Sequence, residues 1–247
     1  MRKNLFLGMC GCAAVIAAWW VLSRAVPGGF IPAPGVVIIR FLVLLPKSLW
    51  LHLLASLGRM AAALAVALVT AVPAGIAIGR VRVLDRIFSP VAYLLFPVPK
   101  IAFLPAIMLL MGLGNLSKAV VVFLVLFFQV LVAARDAARG VPAQYILSLR
   151  SLGATWGQTF RFVLWPALLP ALLSSLRIGT GTALAVLFFA ETFGTTRGLG
   201  WFVMESWMRM SYIDMFAGIV CLGLLGLGLF LAIDLLQRVL CRWQGKA

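Results

Sequence analysis

Long apolar stretches alternate along this chain with short segments that hold most of its charged residues. A helix needs about 20 apolar residues to cross a hydrocarbon core of roughly 30 Å. Six stretches reach or approach that length, so the pattern predicts an all-α integral membrane protein with about six transmembrane helices. The predicted spans are residues 5–22, 53–78, 87–112, 116–134, 172–190 and 213–236.

Prolines interrupt the third of these stretches, at Pro97, Pro99 and Pro105. Proline has no backbone N–H and disfavours the helical conformation in the residue before it. The pattern therefore leaves two possibilities for this span, one broken helix or two shorter helices.

Two connections between the predicted spans are long. The proline-containing segment 23–50 is predicted to be extracytoplasmic and extended, with a short interfacial helix around 36–45. The second connection, residues 135–171, is a loop long enough to have a structure or function of its own. The predicted organisation is an N-terminal helix with its extracytoplasmic segment over 1–50, a core transmembrane domain over 51–240 and a basic tail over 241–247.

Composition supports a membrane protein. Hydrophobic residues make up 64% of the 247 residues and the mean hydropathy is +1.13, whereas soluble domains are about 45–50% apolar. A chain of this length cannot bury such an excess inside its own fold. Glycines within the spans, including Gly75 and Gly79, Gly179 and Gly181, and Gly223, Gly226 and Gly228, indicate either close helix packing or the general abundance of glycine in membrane helices.

The net charge of +15 reflects membrane topology rather than nucleic-acid binding, because the cationic residues are dispersed among short loops. With the N-terminus in the cytoplasm, thirteen of the 21 Lys and Arg residues fall on the cytoplasmic side and seven on the other. Both termini are therefore predicted to be cytoplasmic.

No pattern typical of a metal site or an enzyme is present. The four cysteines form no CxxC pair and the single histidine, His52, cannot supply a cluster of ligands. Few acidic residues occur and no nucleophile–base set is evident, so no catalytic site is expected. The N-terminus resembles a signal peptide, but no A-x-A-like cleavage site precedes Trp19-Trp20. Residues 5–22 are therefore predicted to remain as the first span.

The loop 135–171 carries the most informative motif, which runs from Leu147 to Pro166. Ile146, Leu149 and Leu152 follow one another at helical spacing before Gly153 ends the helix. A second helical stretch then runs to Pro166, so the pattern predicts two short amphipathic helices outside the membrane, joined at Gly153. An amphipathic helix lying on the inner membrane surface is the alternative interpretation.

These residues resemble a signature of the permease subunits of bacterial ABC importers, in the branch that serves sulfonates, taurine, nitrate and similar small solutes. The family signature is Glu-Ala-Ala, three residues, Gly, nine residues and Ile-x-Leu-Pro. Gly153 takes the glycine position, and Val163, Trp165 and Pro166 take the Ile, Leu and Pro positions. The segment Leu147-Ser148-Leu149 stands where the family has Glu-Ala-Ala, so the glutamate is absent. The segments 97–105, 113–118 and 198–200, together with Glu191, also resemble that branch.

The resemblance implies a type I ABC importer permease without a catalytic site or bound cofactor. A second permease copy, two cytoplasmic ATPases that hold ATP and Mg, and a periplasmic solute-binding protein are the implied partners, along with membrane lipid. The residues implied to contact the ATPase are Leu147, Ser148, Leu149, Leu152, Gly153, Ala154, Thr155 and Trp156.

The candidates for the translocation pathway are Pro97, Pro99, Lys100 and Glu191. An ionisable group within a span is a functional candidate, because burying a charge in lipid is costly. Lys100 either favours an anionic solute or extends its amine to the cytoplasmic interface. Glu191 has either a gating or structural hydrogen-bonding role, or is a plain interfacial residue. An ATP-independent transporter or channel is the rival class, although no clear internal repeat is seen.

Overall fold

The structure, a computed structural model, describes the backbone of residues 2–26 and 28–243, with side chains from residue 10 onward. These residues form α-helices with two π-turns and one 3₁₀ turn, and no strand occurs among them. The helices are α1 (Arg2–Ala25), α2 (Pro34–Leu44), α3 (Trp50–Arg80), α4 (Arg82–Leu95), α5 (Leu104–Met111), α6 (Asn115–Gly140), α7 (Ala143–Ser151), α8 (Trp156–Thr159), α9 (Trp165–Glu191), α10 (Leu199–Met208) and α11 (Tyr212–Leu240).

Four continuous helical segments of the described residues are long and apolar enough to cross a membrane. They are Pro34–Arg80, Asn115–Gly140, Trp156–Glu191 and Tyr212–Leu240. A fifth span is formed if Arg82–Leu95 and Lys100–Met111 cross together. The first predicted span lies within α1, whose part Cys10–Ala25 is a shorter apolar helix. The predicted all-helical membrane architecture is confirmed.

The N-terminal connection is more helical than the sequence suggested. Pro34 begins α2, because its fixed φ suits the first turn of a helix. The helix then passes through a π-turn, Leu45–Leu49, into α3. The extended segment predicted over 23–50 is therefore wrong beyond residue 33, whereas the helix predicted around 36–45 is present. The 47-residue segment Pro34–Arg80 spans about 70 Å, so it is far longer than a hydrocarbon core needs.

The third predicted span consists of two helices. α4 ends at Leu95, a 3₁₀ turn covers Lys100–Phe103, and α5 follows with Pro105 in its first turn. The two helical pieces are bent by 85° at the break. Pro97 and Pro99 account for the break, because neither can donate the backbone hydrogen bond that would continue α4.

The connection predicted as a loop over 135–171 is largely helical, and that prediction is corrected. α6 continues to Gly140 and α7 follows after two residues. The second predicted short helix does not end at Pro166, because Trp156–Glu191 is one continuous helical segment of 36 residues. Proline is tolerated at Pro166 because it lies in the first turn of α9.

The chain divides into two compact units. The first unit comprises residues 1–56 and 196–224, within the described ranges. In it, α1 packs on α11 through Trp19 and Phe216, whose rings stack with centroids 5.8 Å apart. Arg40 of α2 forms an ion pair of 2.6 Å with Asp214 at the start of α11. The second unit comprises residues 57–195 and 225–247, of which 244–247 lie outside the described residues.

The core of the second unit lies where α3, α6 and α9 pack together, with α6 lying along α9. α3 approaches α6 closely at two glycines. A Cβ on Gly75 would lie 2.6 Å from the Leu131 carbonyl oxygen, and one on Gly79 would lie 2.4 Å from the Arg135 carbonyl oxygen. Close packing is therefore confirmed there, as it is for Gly179 against Gln129. In contrast, Cβ atoms on Gly181, Gly223 and Gly228 would meet no atom within 4 Å. The predicted domain boundaries at residues 50 and 240 stay predictions.

Candidate functional site

α7 is held on the second unit by one apolar side chain. Ile146 is only 5% exposed and belongs to the same core cluster as Val141, Ala138 and Leu164. Pro142 precedes the helix in an extended conformation, which sets the direction in which α7 leaves α6. The inward apolar face of α7 is thus used for packing, and its opposite face is left exposed.

The turn after α7 requires glycine at position 153. The Gly153 N–H donates to the Arg150 carbonyl at 2.9 Å, and the Ala154 N–H donates to the Leu149 carbonyl at 3.1 Å. These two bonds form a Schellman motif, which needs a left-handed residue after the helix end. Gly153 supplies it with a φ of +77°. No atom lies within 4 Å of a Cβ at this position, so the requirement for glycine is conformational and not steric.

Thr155 starts the next helix through a capping box. Its side chain accepts a hydrogen bond from the Gln158 N–H, and the Gln158 side chain accepts one from the Thr155 N–H at 2.7 Å. These bonds satisfy backbone donors that a helix start leaves unpaired. The backbone from Leu149 to Gln158 is therefore fixed by local hydrogen bonds at both helix ends.

The exposed segment that these caps hold is called the α7–α8 surface. It contains all the residues predicted to contact an ATPase, namely Leu147, Ser148, Leu149, Leu152, Gly153, Ala154, Thr155 and Trp156. The largest apolar ones are well exposed: Leu152 at 83%, Leu147 at 63% and Trp156 at 56%. Leu149 and Ala154 are half-buried. The structure thus brings the predicted residues together on one protruding turn, with large apolar groups at its tip.

The residues predicted to end the signature lie where the helical segment changes its pitch. Phe160–Leu164 forms a π-turn, in which the Trp165 N–H donates to the Phe160 carbonyl. Pro166 lacks an N–H, so the helix cannot make the ordinary bond at that point and widens before it. Val163 packs against the core of the second unit, and Trp165 is the first residue of α9.

Lys100 caps the end of α4 at the break between α4 and α5. Its Nζ donates to the carbonyl oxygens of Leu95 at 2.7 Å and Phe96 at 2.5 Å. It also lies 5.0 Å from the ring centroid of Phe128. A cation at a helix C-terminus satisfies free carbonyls and complements the helix dipole. Pro97 and Pro99, the other predicted pathway residues in this segment, are exposed.

Glu191 is buried in an ion pair, so it is not a plain interfacial residue. Its carboxylate lies 2.5 Å from Nη1 of Arg59, and Glu191 has 0% exposure. Arg59 also donates from Nε and Nη2 to the Asn115 side-chain oxygen at 3.1 and 2.6 Å. This Arg59–Glu191 cluster joins α3, the start of α6 and the end of α9. It fits the structural hydrogen-bonding role predicted for Glu191.

Lys118 lies beside this cluster and is also fully buried. Its Nζ donates to the carbonyl oxygens of Leu113, Gly114 and Gly194, at 2.7, 3.1 and 3.2 Å. A lysine has three donors, and all three have acceptors here. Lys118 therefore joins the turn before α6 to the turn after α9.

A second polar cluster lies where α4 begins and α6 ends. Arg135 donates to Asp85 at 2.6 Å and 2.9 Å, to Asp136 at 2.7 Å and to the Tyr93 hydroxyl at 2.9 Å. Ser89 donates to the same Asp85 oxygen at 2.5 Å. This Arg135–Asp85 cluster fixes α4 against α6, because buried charges are stable only when paired and hydrogen-bonded.

Sequence reasoning missed the cations that lie in and beside the Arg59–Glu191 cluster. Arg59 and Lys118 fall inside the predicted spans 53–78 and 116–134, where an ionisable group signals a specific role. Arg177 likewise falls inside the predicted span 172–190, and it pairs with Asp234 at 2.8 Å. The sequence shows these ionisable groups within spans, but the charge count uses them only to orient the spans in the membrane.

One groove of the second unit has walls that are almost entirely apolar. It has a volume of about 830 Å³, and its walls come from α3, α8, α9 and α11. Arg80 is the single charged residue among lining residues that are otherwise apolar. Apart from Arg80, the described walls of this groove contain no charged group that could fix an anion.

The family described as "Binding-protein-dependent transport system inner membrane component" has a model that matches residues 71–245. The chain belongs to this family. The match includes the α7–α8 surface, both polar clusters except Arg59, and the break at Pro97 and Pro99.

Curated relatives match the permease over almost its whole length. The taurine transport system permease protein TauC of Escherichia coli (strain K12) is 32% identical over 254 residues, covering 100% of this chain and 92% of its own. The putative aliphatic sulfonates transport permease protein SsuC of Bacillus subtilis (strain 168) is 28% identical over 248 residues, covering 99% of this chain and 90% of its own.

The fold also matches a solved structure, the MetNI methionine ABC transporter in an inward facing conformation. The TM-score is 0.63 at 21% sequence identity, and the match covers 78% of this chain and 97% of that chain. The chain is therefore a transmembrane permease subunit of an ABC importer. Such a permease works with ATPase subunits and a solute-binding protein. The predicted family, fold and general function are confirmed.

Proposed function

We propose that the α7–α8 surface is where this permease contacts its ATPase and receives the movement driven by ATP. The observation that carries the proposal is the exposed apolar tip formed by Leu147, Leu152 and Trp156 on a turn that is rigidly capped. Exposed large apolar groups concentrated at one point are typical of the centre of a protein interface. A rigid turn transmits a displacement instead of absorbing it.

The surface is directly connected to a membrane helix. α8 leads without interruption through the π-turn into α9, so a movement of the ATPase acts on α9. A transporter of this kind needs two arrangements of its helices, each favoured by different contacts. ATP and Mg bind to the partner ATPase in this proposal, and the permease itself binds no cofactor and has no catalytic site.

The test is a reconstituted transporter with substitutions at the turn. Gly153→Val imposes a β-branched side chain on a left-handed backbone, which is a genuine conformational conflict. Leu152→Asp removes the apolar tip without changing the backbone. We expect both variants to lose the stimulation of ATP hydrolysis by the loaded binding protein. The matched control is Gly157→Ala, because Gly157 lies in α8 with an ordinary φ and open space around it. Full stimulation in Gly153→Val and Leu152→Asp would reject the proposal.

We propose a small organic or inorganic anion, such as a sulfonate, taurine or nitrate, as the solute. Similarity to the taurine permease and the putative aliphatic sulfonate permease supports this class. Overall similarity alone is not decisive, since a formylaminopyrimidine transport permease is 28% identical as well. The solute class is tested by a ligand screen on the binding protein that partners this permease, in which a neutral solute as the preferred ligand would contradict it.

We place the pathway beside the break at Pro97, Pro99 and Lys100. Non-helical backbone at membrane depth is tolerated only where it is buried in protein or lines a cavity. Lys100→Ala is expected to raise the Michaelis constant for the anion, with Lys47→Ala as the control at an exposed cation outside this break. If Lys100 serves only to cap α4, the variant will lose stability while the Michaelis constant stays normal. Glu191 is proposed to act in gating, through Arg59 and without touching the solute.

We further propose that two copies of the permease assemble with two ATPases and a periplasmic binding protein in a bacterial inner membrane. The distribution of Lys and Arg supports cytoplasmic termini at both ends. Reporter fusions at the C-terminus and after residue 30 test this orientation, and an extracytoplasmic C-terminus would contradict it. Native mass spectrometry of the purified transporter tests the stoichiometry.

A further inference from the structure

The α7–α8 surface lies in a part of the chain that has no acidic residue. Between Asp136 and Glu191 the sequence contains neither Asp nor Glu, whereas Arg139, Arg150 and Arg161 occur in the same stretch. Whatever contacts the surface therefore meets apolar groups, neutral polar groups and positive charges, but no carboxylate from this stretch.

The acidic residues elsewhere in the chain already have arginine partners. All six of them form ion pairs within the chain, and none of these pairs includes Arg150. Among the described residues, therefore, no carboxylate pairs with Arg150, which leaves it available to a carboxylate of a partner molecule.

Arg150 is well placed for such a contact. It lies in the last turn of α7 and is exposed, and its backbone carbonyl accepts a bond from Gly153 at the capped turn. Leu147 is three residues earlier, so the two side chains share the exposed face of the helix. A cation in the last turn also complements the helix dipole. That effect explains a basic residue here, but it does not require the residue to stand beside an exposed apolar tip.

We infer that the ATPase surface that receives this permease has an apolar groove with an acidic rim, and that Arg150 pairs with a carboxylate of that rim. The inference rests on the proposed role of the α7–α8 surface and adds the chemistry of its partner. A charged rim around an apolar centre is the usual anatomy of a protein interface. Opposite charges at the rim favour the correct partner, and like charges exclude a wrong one.

An anionic membrane surface is the competing partner, and the arrangement of α7 disfavours it. A helix that lies on a membrane needs a continuous apolar stripe on its free face. The apolar face of α7 is instead used for packing through Ile146. The exposed side chains Tyr145, Leu147 and Leu152 are interrupted on the free face by Ser148, Arg150 and Ser151, so they do not form a continuous apolar stripe.

The test measures the affinity of the purified permease, in lipid nanodiscs, for its own ATPase subunit. We expect Arg150→Glu to weaken binding at least tenfold at low salt, and Arg150→Lys to bind nearly as wild type does. Wild-type affinity should fall between 50 and 500 mM KCl, and Arg150→Gln should flatten that dependence. Replacing one rim carboxylate of the ATPase with Lys should restore binding to Arg150→Glu. Arg24→Glu is the matched control, since it makes the same charge change at an exposed arginine of α1.

The outcomes distinguish this inference from the proposed docking role of the α7–α8 surface, on which it rests. If Leu152→Asp weakens binding while Arg150→Glu does not, the α7–α8 surface docks but the acidic rim is refuted. If neither substitution weakens binding, the docking role and the inference both fail. If the effect of Arg150→Glu disappears when the nanodiscs contain only zwitterionic lipid, Arg150 binds lipid headgroups and the inference is again refuted.

Discussion

Removing the carboxylate of Glu191 should destabilise the permease more than any comparable change at an exposed ion pair. Glu191→Gln keeps the shape of the side chain but leaves the Arg59 guanidinium buried without its 2.5 Å counter-charge. The fully buried Lys118 amine belongs to the same region. The variant would thus hold two buried cations and no anion among the residues described in this cluster.

The geometry sets the size of the effect. Unit charges 2.5 Å apart attract by about 7 kcal/mol at an effective dielectric constant of roughly 20. Desolvation of the two ions cancels a large part of that attraction when both are present, whereas the penalty for the remaining ion persists after one is removed. Loss of one partner from a buried pair typically costs about 3–5 kcal/mol, and we expect Glu191→Gln to fall near the lower end because the amide oxygen still accepts a hydrogen bond.

The assay is unfolding of the purified permease by SDS in mixed micelles, carried out as a double-mutant cycle with Arg59→Met. The double variant should be more stable than the sum of the two single losses predicts, because it leaves one buried cation, Lys118, where Glu191→Gln alone leaves two. Glu205→Gln is the control, since the Glu205–Arg209 pair is exposed and such pairs contribute less than about 1 kcal/mol. A Glu191→Gln variant as stable as wild type, or a coupling energy of zero, would refute the assignment of Glu191 as a structural partner of Arg59.

Three further changes test other parts of the structure. Gly79→Leu should separate α3 from α6, because its side chain would collide with the Arg135 backbone. We expect a lower yield of folded protein for this variant. Gly223→Leu is the control and should keep the wild-type yield, because there is open space around Gly223. Lys118→Met should lower the stability of the permease by about 2 kcal/mol, since it removes the Lys118 donor from the Leu113 and Gly194 carbonyls, whereas the Gly114 carbonyl still accepts from Ser117. An unchanged unfolding midpoint would contradict the role given to Lys118. Thr155→Ala should lower the free energy of unfolding by about 1 kcal/mol, because the capping box is lost. Hydrogen exchange at the start of α8 should increase, and unchanged exchange there would show that the cap is dispensable.

The membrane spans were predictable because they depend on local composition. Lipid demands a run of apolar residues of a fixed minimum length, and that demand can be read from one sequence. The break at Pro97 and Pro99 was predictable for a similar reason, since proline interrupts a helix wherever it occurs in the interior. The choice between one broken helix and two helices needed the bend itself, which the structure gives as 85°.

The connections were harder to predict than the spans. Residues 156–171 contain several apolar positions that continue the following membrane helix, yet Pro166 suggested that a helix ended there. Position decides the effect of a proline, because one in the first turn of a helix costs little and one in the interior costs much. The π-turn Phe160–Leu164 lets the helical segment pass through that point.

The ion pairs could not be predicted from the sequence, because partner choice depends on how distant segments pack. Arg59 and Glu191 are separated by 132 positions, and Arg135 and Asp85 by 50. The sequence indicated that charged groups in spans need partners, but it did not say which groups would meet. The proximity of the α7–α8 surface residues could be predicted from the motif, since they lie within ten consecutive positions.

The continuous helical segment Trp156–Glu191 is anchored near both of its ends. Its 36 residues extend about 54 Å, from the α7–α8 surface to the Arg59–Glu191 cluster. The segment can bend at two positions, the π-turn Phe160–Leu164 and the interior Pro170. Stiffening either of these positions should therefore change how much of a displacement at one end of the segment reaches the other end.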